Sequence, residues 1–262
     1  MEHGFTIRGV GIGGEHTRIC VPIMPATLCE LEEVLCRLDM SAFDILEWRA
    51  DALQGAVLAD YIAGLKIIRQ KLGEAVPVLF TLRTTREGGS FSGTVHELTA
   101  VMVGVAQTSA ADMLDIELSV GDENVRAVVT AAKKTGIKVI VSHHNFAKIY
   151  PLEDIAGIYE RMFELGADVA KIALMPANVG ECLMIMGAAE RVQRECQNRA
   201  IILIGMGQHG LSSRIMAREI GSCIAFAFDT AAGVSAPGQI SAQDMRQIFE
   251  IIGRYSNFKS NS

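Results

Sequence analysis

The sequence predicts an α/β fold, a closed (β/α)8 barrel of the TIM type that begins with a β-hairpin. The 262 residues suit such a barrel, which forms one unit of roughly 250 residues. Short apolar segments alternate with helical segments along the whole chain, as in β/α architectures. Half of the residues are hydrophobic and 21% are charged, which provides a large core and excludes a disordered chain. An open, doubly wound sheet is the alternative.

Eight apolar segments predict the strands. Each is rich in Val, Ile, Leu or Phe and ends near Gly, Pro or a polar cluster, as buried strands do. The starts of successive segments lie between 23 and 36 residues apart, which accommodates one strand, one helix and two short loops. The predicted strands are 18–23, 43–49, 76–83, 112–118, 138–144, 168–174, 200–206 and 223–228.

Capping signals mark the helices. A Ser or Thr three residues before an acidic residue is the pattern of a capping box; it occurs at Thr27–Glu30, at Thr94–Glu97 and, more weakly, at Ser241–Asp244. Glycines that favour helix C-caps are Gly73, Gly136 and Gly166. The other predicted helices are 54–72, 122–135, 152–165, 178–196 and 212–220.

Residues 1–17 precede the first predicted strand and contain five glycines, among them Gly9, Gly11, Gly13 and Gly14. We expect them to form the hairpin that closes the bottom of the barrel. No stretch of the chain has the composition of an interdomain linker, so residues 1–262 are expected to form a single domain.

Composition excludes several classes of function. A formal charge of −6 argues against a general nucleic-acid binder. The longest uncharged stretches, 98–111 and 200–213, have 14 residues, whereas a membrane-spanning helix needs about 18. The N-terminal residues do not resemble a signal peptide. The six cysteines, Cys196 among them, form no C-x-x-C motif, which predicts reduced thiols in a cytoplasmic protein rather than a metal site.

Charged residues inside the predicted strands are the main functional signal, because parallel strands covered on both faces should be apolar. These exceptions are Glu47, Arg49, Asp51, Arg83, Asp115, Glu117, His143, His144 and Lys171. The carboxyl ends of barrel strands converge at the mouth where active sites form. A set of structural ion pairs is the alternative for any one residue, but charged or imidazole groups on the second, third, fifth and sixth strands together favour a site.

Lys171 is the sharpest of these signals. A lysine enclosed in an apolar strand is desolvated, which favours the neutral amine, a nucleophile toward carbonyls. Its structural alternative is a salt bridge with Glu47 or Glu117. His144 lies on the preceding strand and is a candidate proton shuttle, although a packed core histidine is also possible. His143 points to the opposite face of the strand and is expected to be structural.

An anion site is predicted after the seventh barrel strand. Gly205-x-Gly207-x-x-Gly210 imitates a dinucleotide-binding fingerprint, but about fifty residues remain after it, too few for a Rossmann domain. The glycines are expected to let the backbone approach a ligand, and Arg214 on the following helix suits a carboxylate or phosphate. The polar loops 83–93 and 235–239 are expected at the barrel mouth.

Together these segments resemble the type I 3-dehydroquinate dehydratases along essentially the whole chain. The matching motifs are EWRAD at 47–51, TLRT at 81–84, EGG at 87–89, SHHNF at 142–146, GADVAKI at 166–172, GQHGLSSR at 207–214 and SAPGQ at 235–239. Two positions depart from the family pattern. Asn145 replaces an Asp that usually follows the histidine, and Pro22 stands where some members have Ser.

The resemblance implies dehydration of 3-dehydroquinate to 3-dehydroshikimate in the shikimate pathway, through a Schiff base on Lys171. It implies that His144 transfers the proton and that Glu87 orients His144 or pairs with its charge. The implied substrate-binding residues are Glu47, Arg49, Arg83, Arg214, Ser235 and Gln239. No metal or organic cofactor is implied, because the lysine acts as the electron sink. The family also implies a cytoplasmic homodimer with a small-molecule substrate.

Two other functions remain compatible with the sequence. A class I Schiff-base aldolase would also use a lysine on the sixth strand, but it would need a phosphate site for its sugar phosphate. A non-catalytic barrel that binds carboxylates is the second, and the presence of both Lys171 and His144 argues against it.

Overall fold

The computed structural model of the protein describes residues 4–14, 17–195 and 199–256. Cys196 lies outside the described residues, as does part of the predicted hairpin. The described strands are β1 (Phe5–Ile7), β2 (Val10–Ile12), β3 (Arg18–Ile23), β4 (Ile45–Arg49), β5 (Val78–Thr81), β6 (Met113–Glu117), β7 (Lys138–Asn145), β8 (Val169–Leu174), β9 (Ala200–Gly205) and β10 (Ile224–Phe226). The described α-helices are α1 (Leu28–Leu35), α2 (Leu58–Leu72), α3 (Val95–Thr108), α4 (Asp122–Thr135), α5 (Leu152–Glu164), α6 (Val179–Glu195), α7 (Leu211–Ile215) and α8 (Ala242–Ser256).

Strands β3 to β10 form a parallel sheet in chain order, with β10 paired to β3. Between β9 and β10 the barrel is joined by an isolated parallel bridge from Ile201 to Ser222 and by the Leu203 amide, which donates to Ser222 Oγ at 3.2 Å. The prediction of a (β/α)8 barrel is therefore confirmed, and the open, doubly wound alternative is wrong.

The hairpin of β1 and β2 is also confirmed. Its two-residue turn consists of Arg8 and Gly9, both with positive φ angles of 50° and 82°, the backbone of the tight hairpin turns. Arg8 Nε donates to Asp112 at 2.6 Å, next to the start of β6. Ile12 is fully buried in the apolar cluster that fills the lower barrel interior, so the hairpin covers the end of the barrel opposite the strand carboxyl ends.

Two helix predictions need correction. The helix expected over 212–220 ends at Ile215, because Met216 leaves the helical region with ψ near 16°, and turns follow. At α1, Thr27 Oγ1 accepts from the Glu30 amide at 3.1 Å, but the Glu30 carboxylate accepts from Ala26 rather than from Thr27, so only half of a capping box forms. The capping box at Thr94 is complete.

Within the described ranges no helix is long and apolar enough to cross a membrane. Five cysteines of the described chain are free thiols: Cys20, Cys29, Cys36, Cys182 and Cys223.

Candidate active site

A pocket opens at the carboxyl ends of the barrel strands. It is lined by all nine site residues that the sequence predicts: Glu47, Arg49, Arg83, Glu87, His144, Lys171, Arg214, Ser235 and Gln239. The lining also includes four residues that the sequence analysis named only as parts of motifs, Gly88, Phe146, Ala236 and Pro237, and four that it did not single out, Ala173, Ile204, Met206 and Phe226. The barrel thus brings together residues from distant parts of the chain.

Lys171 lies in the middle of β8, where its side chain is 4% exposed. Its Nζ donates to Asp115 Oδ2 at 3.1 Å and lies 4.2 Å from the centroid of the Phe226 ring. The structural alternative paired Lys171 with Glu47 or Glu117, and these partners are wrong, because the salt bridge is with Asp115. Layers inside a barrel take side chains from alternate strands, and β6 and β8 are alternate strands, which sets Asp115 opposite Lys171.

Arg83 organises the carboxylates beside Lys171. One Nη donates to Asp115 Oδ1 at 2.8 Å, and the other contacts Glu117 Oε1 at 3.2 Å and Ser142 Oγ at 2.9 Å. Burial alone would lower the pKa of Arg83, but the charges of Asp115 and Glu117 outweigh it and raise that pKa above its usual range. Arg83 therefore remains a buried cation between the two carboxylates.

His144 and Glu87 form a hydrogen-bonded pair at the pocket wall. Glu87 Oε2 accepts from the His144 backbone amide at 2.9 Å and also lies 2.9 Å from His144 Nδ1. When Glu87 is ionised, Nδ1 carries the proton, and the lone pair of His144 is then on Nε2. The other Glu87 oxygen accepts from Ser119 Oγ at 2.6 Å.

The protonation of this pair follows from its surroundings. Burial lowers the pKa of His144 well below its usual range, and the nearby cations Arg83 and Lys171 lower it further. His144 is therefore a neutral imidazole near pH 7, which is the form that accepts a proton. Burial and the charge of Glu117 raise the pKa of Glu87 to about 7.

His143 faces away from the pocket. Its Nε2 lies 3.0 Å from the Tyr150 hydroxyl, and its ring centroid is 5.7 Å from that of Tyr150. Asn145 Nδ2 donates to the same hydroxyl at 2.6 Å, while its Oδ1 accepts from the amides of Ala147 and Lys148. The Asn that departs from the family pattern therefore holds the turn after β7. The other departure, Pro22, lies opposite Glu47 in the β3–β4 register.

Arg49 and Glu47 flank the other side of the pocket. Arg49 makes two hydrogen bonds with the Asp51 carboxylate, at 2.7 and 2.9 Å, and Asp51 in turn accepts from the backbone amides of Arg83 and Ser90. This network fixes the loop after β5 against the loop after β4. Glu47 is buried and accepts from Thr81 Oγ1 at 2.8 Å, which leaves its second oxygen available to a ligand.

Arg214 is a buried cation without a carboxylate contact in the described structure. It is 3% exposed, and its Nη atoms donate only to the carbonyls of Phe226 and Pro237, at 3.2 and 3.3 Å. Its Nε has no hydrogen-bond partner in the described part of the chain. Burial lowers the pKa of Arg214 to about 10, so the side chain is charged at pH 7. A buried, poorly compensated guanidinium that faces a pocket is suited to an anionic ligand.

Loop 235–239 completes the pocket mouth. Gln239 Oε1 accepts from the Ser235 amide at 2.9 Å, and Gln239 Nε2 donates to Ser235 Oγ at 3.0 Å. The Gly207 amide donates to the Pro237 carbonyl at 3.1 Å. A Cβ on Gly238, whose φ is +76°, would lie 2.3 Å from the Gly207 carbonyl oxygen. The loop is thus in close backbone contact with the loop after β9.

The glycines after β9 serve the same close packing. A Cβ on Gly210 would lie 2.1 Å from the Gly205 carbonyl carbon, so this spacing allows two backbone segments to touch each other. Close contact between the two backbones therefore accounts for glycine at Gly205 and Gly210, and approach of a ligand to this backbone stays a prediction. Among the described residues no cluster of three or more His, Cys, Asp or Glu is arranged to hold a metal ion.

The sequence of the chain is similar to that of a known protein family. The family model described as "Type I 3-dehydroquinase" matches residues 19–256. Among curated relatives, the 3-dehydroquinate dehydratase of Alkaliphilus oremlandii is 34% identical over 257 residues, which cover 98% of this chain and 100% of that protein. The 3-dehydroquinate dehydratase of Klebsiella pneumoniae is 35% identical over 253 residues, covering 96% of this chain and 100% of that protein.

Solved structures give the same result. The type I 3-dehydroquinate dehydratase from Clostridium difficile, determined with covalently modified comenic acid, superimposes with a TM-score of 0.92 at 32% identity, over 97% of this chain and all of that one. The enzyme from Geobacillus kaustophilus gives a TM-score of 0.89 at 31% identity, over 98% and 100% of the two chains. A 3-hexulose-6-phosphate synthase, at 17% identity and a TM-score of 0.57 over 88% and 99% of the two chains, shares the fold alone.

Proposed function

This chain belongs to the type I 3-dehydroquinase family and dehydrates 3-dehydroquinate to 3-dehydroshikimate, and we propose that Lys171, His144 and Glu87 perform the reaction. The observation that carries this assignment is the pocket itself. It holds a buried lysine on β8, a neutral histidine on the adjacent β7 and a cation, Arg214, that has no carboxylate partner in the described structure. The reaction is a step of the shikimate pathway.

The reaction begins on Lys171. In its amine form, Nζ adds to the ketone carbon of the substrate, and the carbinolamine loses water to give an iminium ion. The positive nitrogen withdraws electrons from the neighbouring carbon and makes its C–H bond acidic. The apolar side chains of Phe226 and Met206 line the same pocket and limit the access of water to the imine.

His144 moves the proton. Its Nε2 takes the proton from the acidified carbon, and the electrons of the C–H bond form an enamine. The enamine then expels the β-hydroxyl, which leaves as water with the proton that His144 returns. Hydrolysis of the product imine consumes one water and frees Lys171. Glu87, 2.9 Å from Nδ1, orients the ring so that Nε2 faces the substrate.

The remaining pocket residues bind the substrate in this proposal. Arg214 binds its carboxylate, and Ser235 and Gln239 contact the neighbouring oxygens. Glu47, Arg49 and Arg83 bind its hydroxyls. The unused oxygen of Glu47 and the incompletely paired guanidinium of Arg214 support these roles, because a ligand would supply the missing partners.

We further propose that residues 1–262 form one domain and that the enzyme is a cytoplasmic homodimer. The free thiols of the described chain suit a reducing compartment. Light scattering during size-exclusion chromatography would give the mass of the assembly. A particle of one chain mass, 28.3 kDa, would contradict the dimer.

Reductive trapping tests the role of Lys171. The protein is incubated with 3-dehydroquinate and then with borohydride, which converts an imine to a stable secondary amine. We expect the mass of one ligand to be added, and peptide mapping to place it on Lys171. Lys171→Ala should abolish both label and turnover, and Lys171→Arg should restore neither because a guanidinium stays protonated.

Two controls make this experiment decisive. A sugar phosphate replaces 3-dehydroquinate in one arm, and turnover of that compound would favour the aldolase alternative. Lys138→Ala removes a lysine that pairs with Asp168 at 3.0 Å at the other end of the barrel, and it should keep label and activity. Label on a lysine other than Lys171, or turnover without Lys171, would refute the assignment.

A further inference from the structure

Asp115 is the carboxylate closest to the proposed Schiff base, and no role has yet been given to it. It lies on β6, is 2% exposed and is absent from the residues that line the pocket. Its Oδ2 accepts from Lys171 Nζ at 3.1 Å. Its Oδ1 accepts from Arg83 at 2.8 Å and from Ser142 Oγ at 2.6 Å. The carboxylate therefore contacts the reacting nitrogen from behind, where a bound substrate does not displace it.

The charge on Lys171 Nζ changes during the proposed reaction. The nitrogen is neutral in the amine that attacks the ketone, positive in the iminium ion and neutral again in the enamine. An imine withdraws electrons strongly only while it is protonated. A fixed negative charge at 3.1 Å favours the protonated form over the neutral one.

We propose that Asp115 is the counter-ion of the Lys171 iminium and keeps the imine protonated at neutral and mildly alkaline pH. This inference rests on the proposed Schiff base. Asp115 touches the reacting nitrogen and is therefore a catalytic residue, although it neither transfers a proton nor contacts the part of the substrate that is eliminated.

The surroundings of Asp115 keep it ionised throughout the reaction. Burial alone would raise the pKa of Asp115, but the charges of Arg83 and Lys171 outweigh it and hold that pKa well below its usual range. The hydrogen bond from the hydroxyl of Ser142 lowers it further. When Nζ becomes neutral, the Arg83 cation at 2.8 Å still stabilises the carboxylate. Asp115 is thus a permanent charge rather than a proton acceptor.

Glu117 provides a matched control on the same strand. It is as deeply buried, at 2% exposure, and it also pairs with Arg83, at 3.2 Å. Its two oxygens accept from the Thr84 amide and hydroxyl, at 2.8 and 2.6 Å. Glu117→Gln therefore removes the same charge from the same cluster while the contact between Asp115 and Lys171 remains.

The experiment measures the pH dependence of trapping in the Asp115→Asn variant. Protein and 3-dehydroquinate are treated with cyanoborohydride, which reduces the protonated imine, across about pH 5 to 9. Labelling and kcat should each fall above a certain pH, which is their alkaline limit. We expect both limits to move to lower pH by about 1–3 units in Asp115→Asn. Asp115→Glu, which keeps the charge, should move it much less, and Glu117→Gln should leave it near wild type.

A measurement on the wild-type chain covers the case in which Asp115→Asn does not fold. The imine on Lys171 should remain reducible at higher pH than the imine that the same ketone forms with butylamine in water. Equal alkaline limits would overturn the role of Asp115. So would an unshifted limit in a folded Asp115→Asn variant, or an equal shift in Glu117→Gln.

Failure of the underlying mechanism is distinguishable from failure of this inference. Absence of label from wild-type Lys171 would overturn the Schiff base and, with it, the counter-ion. A labelled wild type whose alkaline limit does not depend on Asp115 would overturn the counter-ion alone.

Discussion

Replacement of Arg214 by alanine tests whether this residue binds the substrate carboxylate. Arg214 is 3% exposed, and among the described residues its guanidinium donates only to the neutral carbonyl oxygens of Phe226 and Pro237, at 3.2 and 3.3 Å. Burial of a charge without an opposite charge is unfavourable, and here it lowers the pKa of Arg214 to about 10. A carboxylate in the pocket would remove this cost, so the side chain should contribute more to binding than to folding.

The magnitude follows from the lost interaction. A hydrogen bond to a charged group contributes about 1.5–3 kcal/mol, which corresponds to roughly a 10- to 150-fold increase in KM for Arg214→Ala. Because the contact is with the carboxylate, which is not transformed, kcat should change less than KM. The melting temperature should stay within about 4 °C of wild type, the shift that 1 kcal/mol produces in a chain of this size.

The assay follows the absorbance of the conjugated enone product at several substrate concentrations, and differential scanning fluorimetry gives the melting temperature. Arg191→Ala is the control, because Arg191 lies on the surface of α6 and pairs with Glu153 and Glu195. It should leave KM unchanged. Product at a concentration that saturates wild type should raise the melting temperature of wild type and of Arg191→Ala. The same concentration should raise the melting temperature of Arg214→Ala much less. An unchanged KM, or a melting temperature lowered by about 10 °C or more, would show that Arg214 is structural.

The other predictions concern the proton-transferring groups. His144→Ala should reduce turnover by about 10²–10⁴-fold or more while an imine on Lys171 can still be trapped. His143→Ala should be much milder, because His143 does not line the pocket: its Nε2 contacts Tyr150 at 3.0 Å, and its Nδ1 lies 3.9 Å from Glu87, farther than His144 does. The reverse order would contradict the assignment. The pKa of Glu87 is about 7, and protonation below that value removes the acceptor for His144 Nδ1–H. The wild-type kcat/KM should therefore fall as pH decreases below about 7. The same decrease in Glu87→Gln would show that protonation of Glu87 is not its cause.

The sequence predicts the barrel well because its strongest signals are local. A short apolar run such as VAKIAL, rich in strand-forming residues, predicts a buried strand, and its one lysine is then expected inside the protein, as observed. The order of strands follows from the strand and helix alternation, since parallel neighbours require crossover helices. The nine predicted site residues line one pocket because their motifs lie in or after strands whose carboxyl ends meet at one mouth.

Interactions across the barrel are not local, and there the sequence predictions are less accurate. Lys171 pairs with Asp115 rather than with Glu47 or Glu117, because the partner depends on the layer in which each side chain lies. The apolar wall at Phe226 has no sequence signal that separates it from the other apolar residues of β10. Likewise, the spacing of Gly205 and Gly210 is compatible with a ligand-binding loop, and only the fold shows that the two backbones touch.

The arrangement of charges explains how one pocket can hold a neutral base beside a cationic electron sink. Burial disfavours both the imidazolium ion of His144 and the iminium ion of Lys171. The reaction needs a neutral imidazole but a charged iminium ion, so the two groups need different surroundings. Arg83 and Lys171 disfavour a second cation on His144, which keeps that ring able to accept a proton. The carboxylate of Asp115, fixed by Arg83 and Ser142, contacts the nitrogen of Lys171 directly. Its charge also raises the pKa of His144, but burial, Arg83 and Lys171 outweigh that effect. Removal of the Asp115 carboxylate should therefore affect the iminium ion on Lys171 more than the proton transfer by His144. A purely structural role of Asp115 in the barrel would not produce this difference.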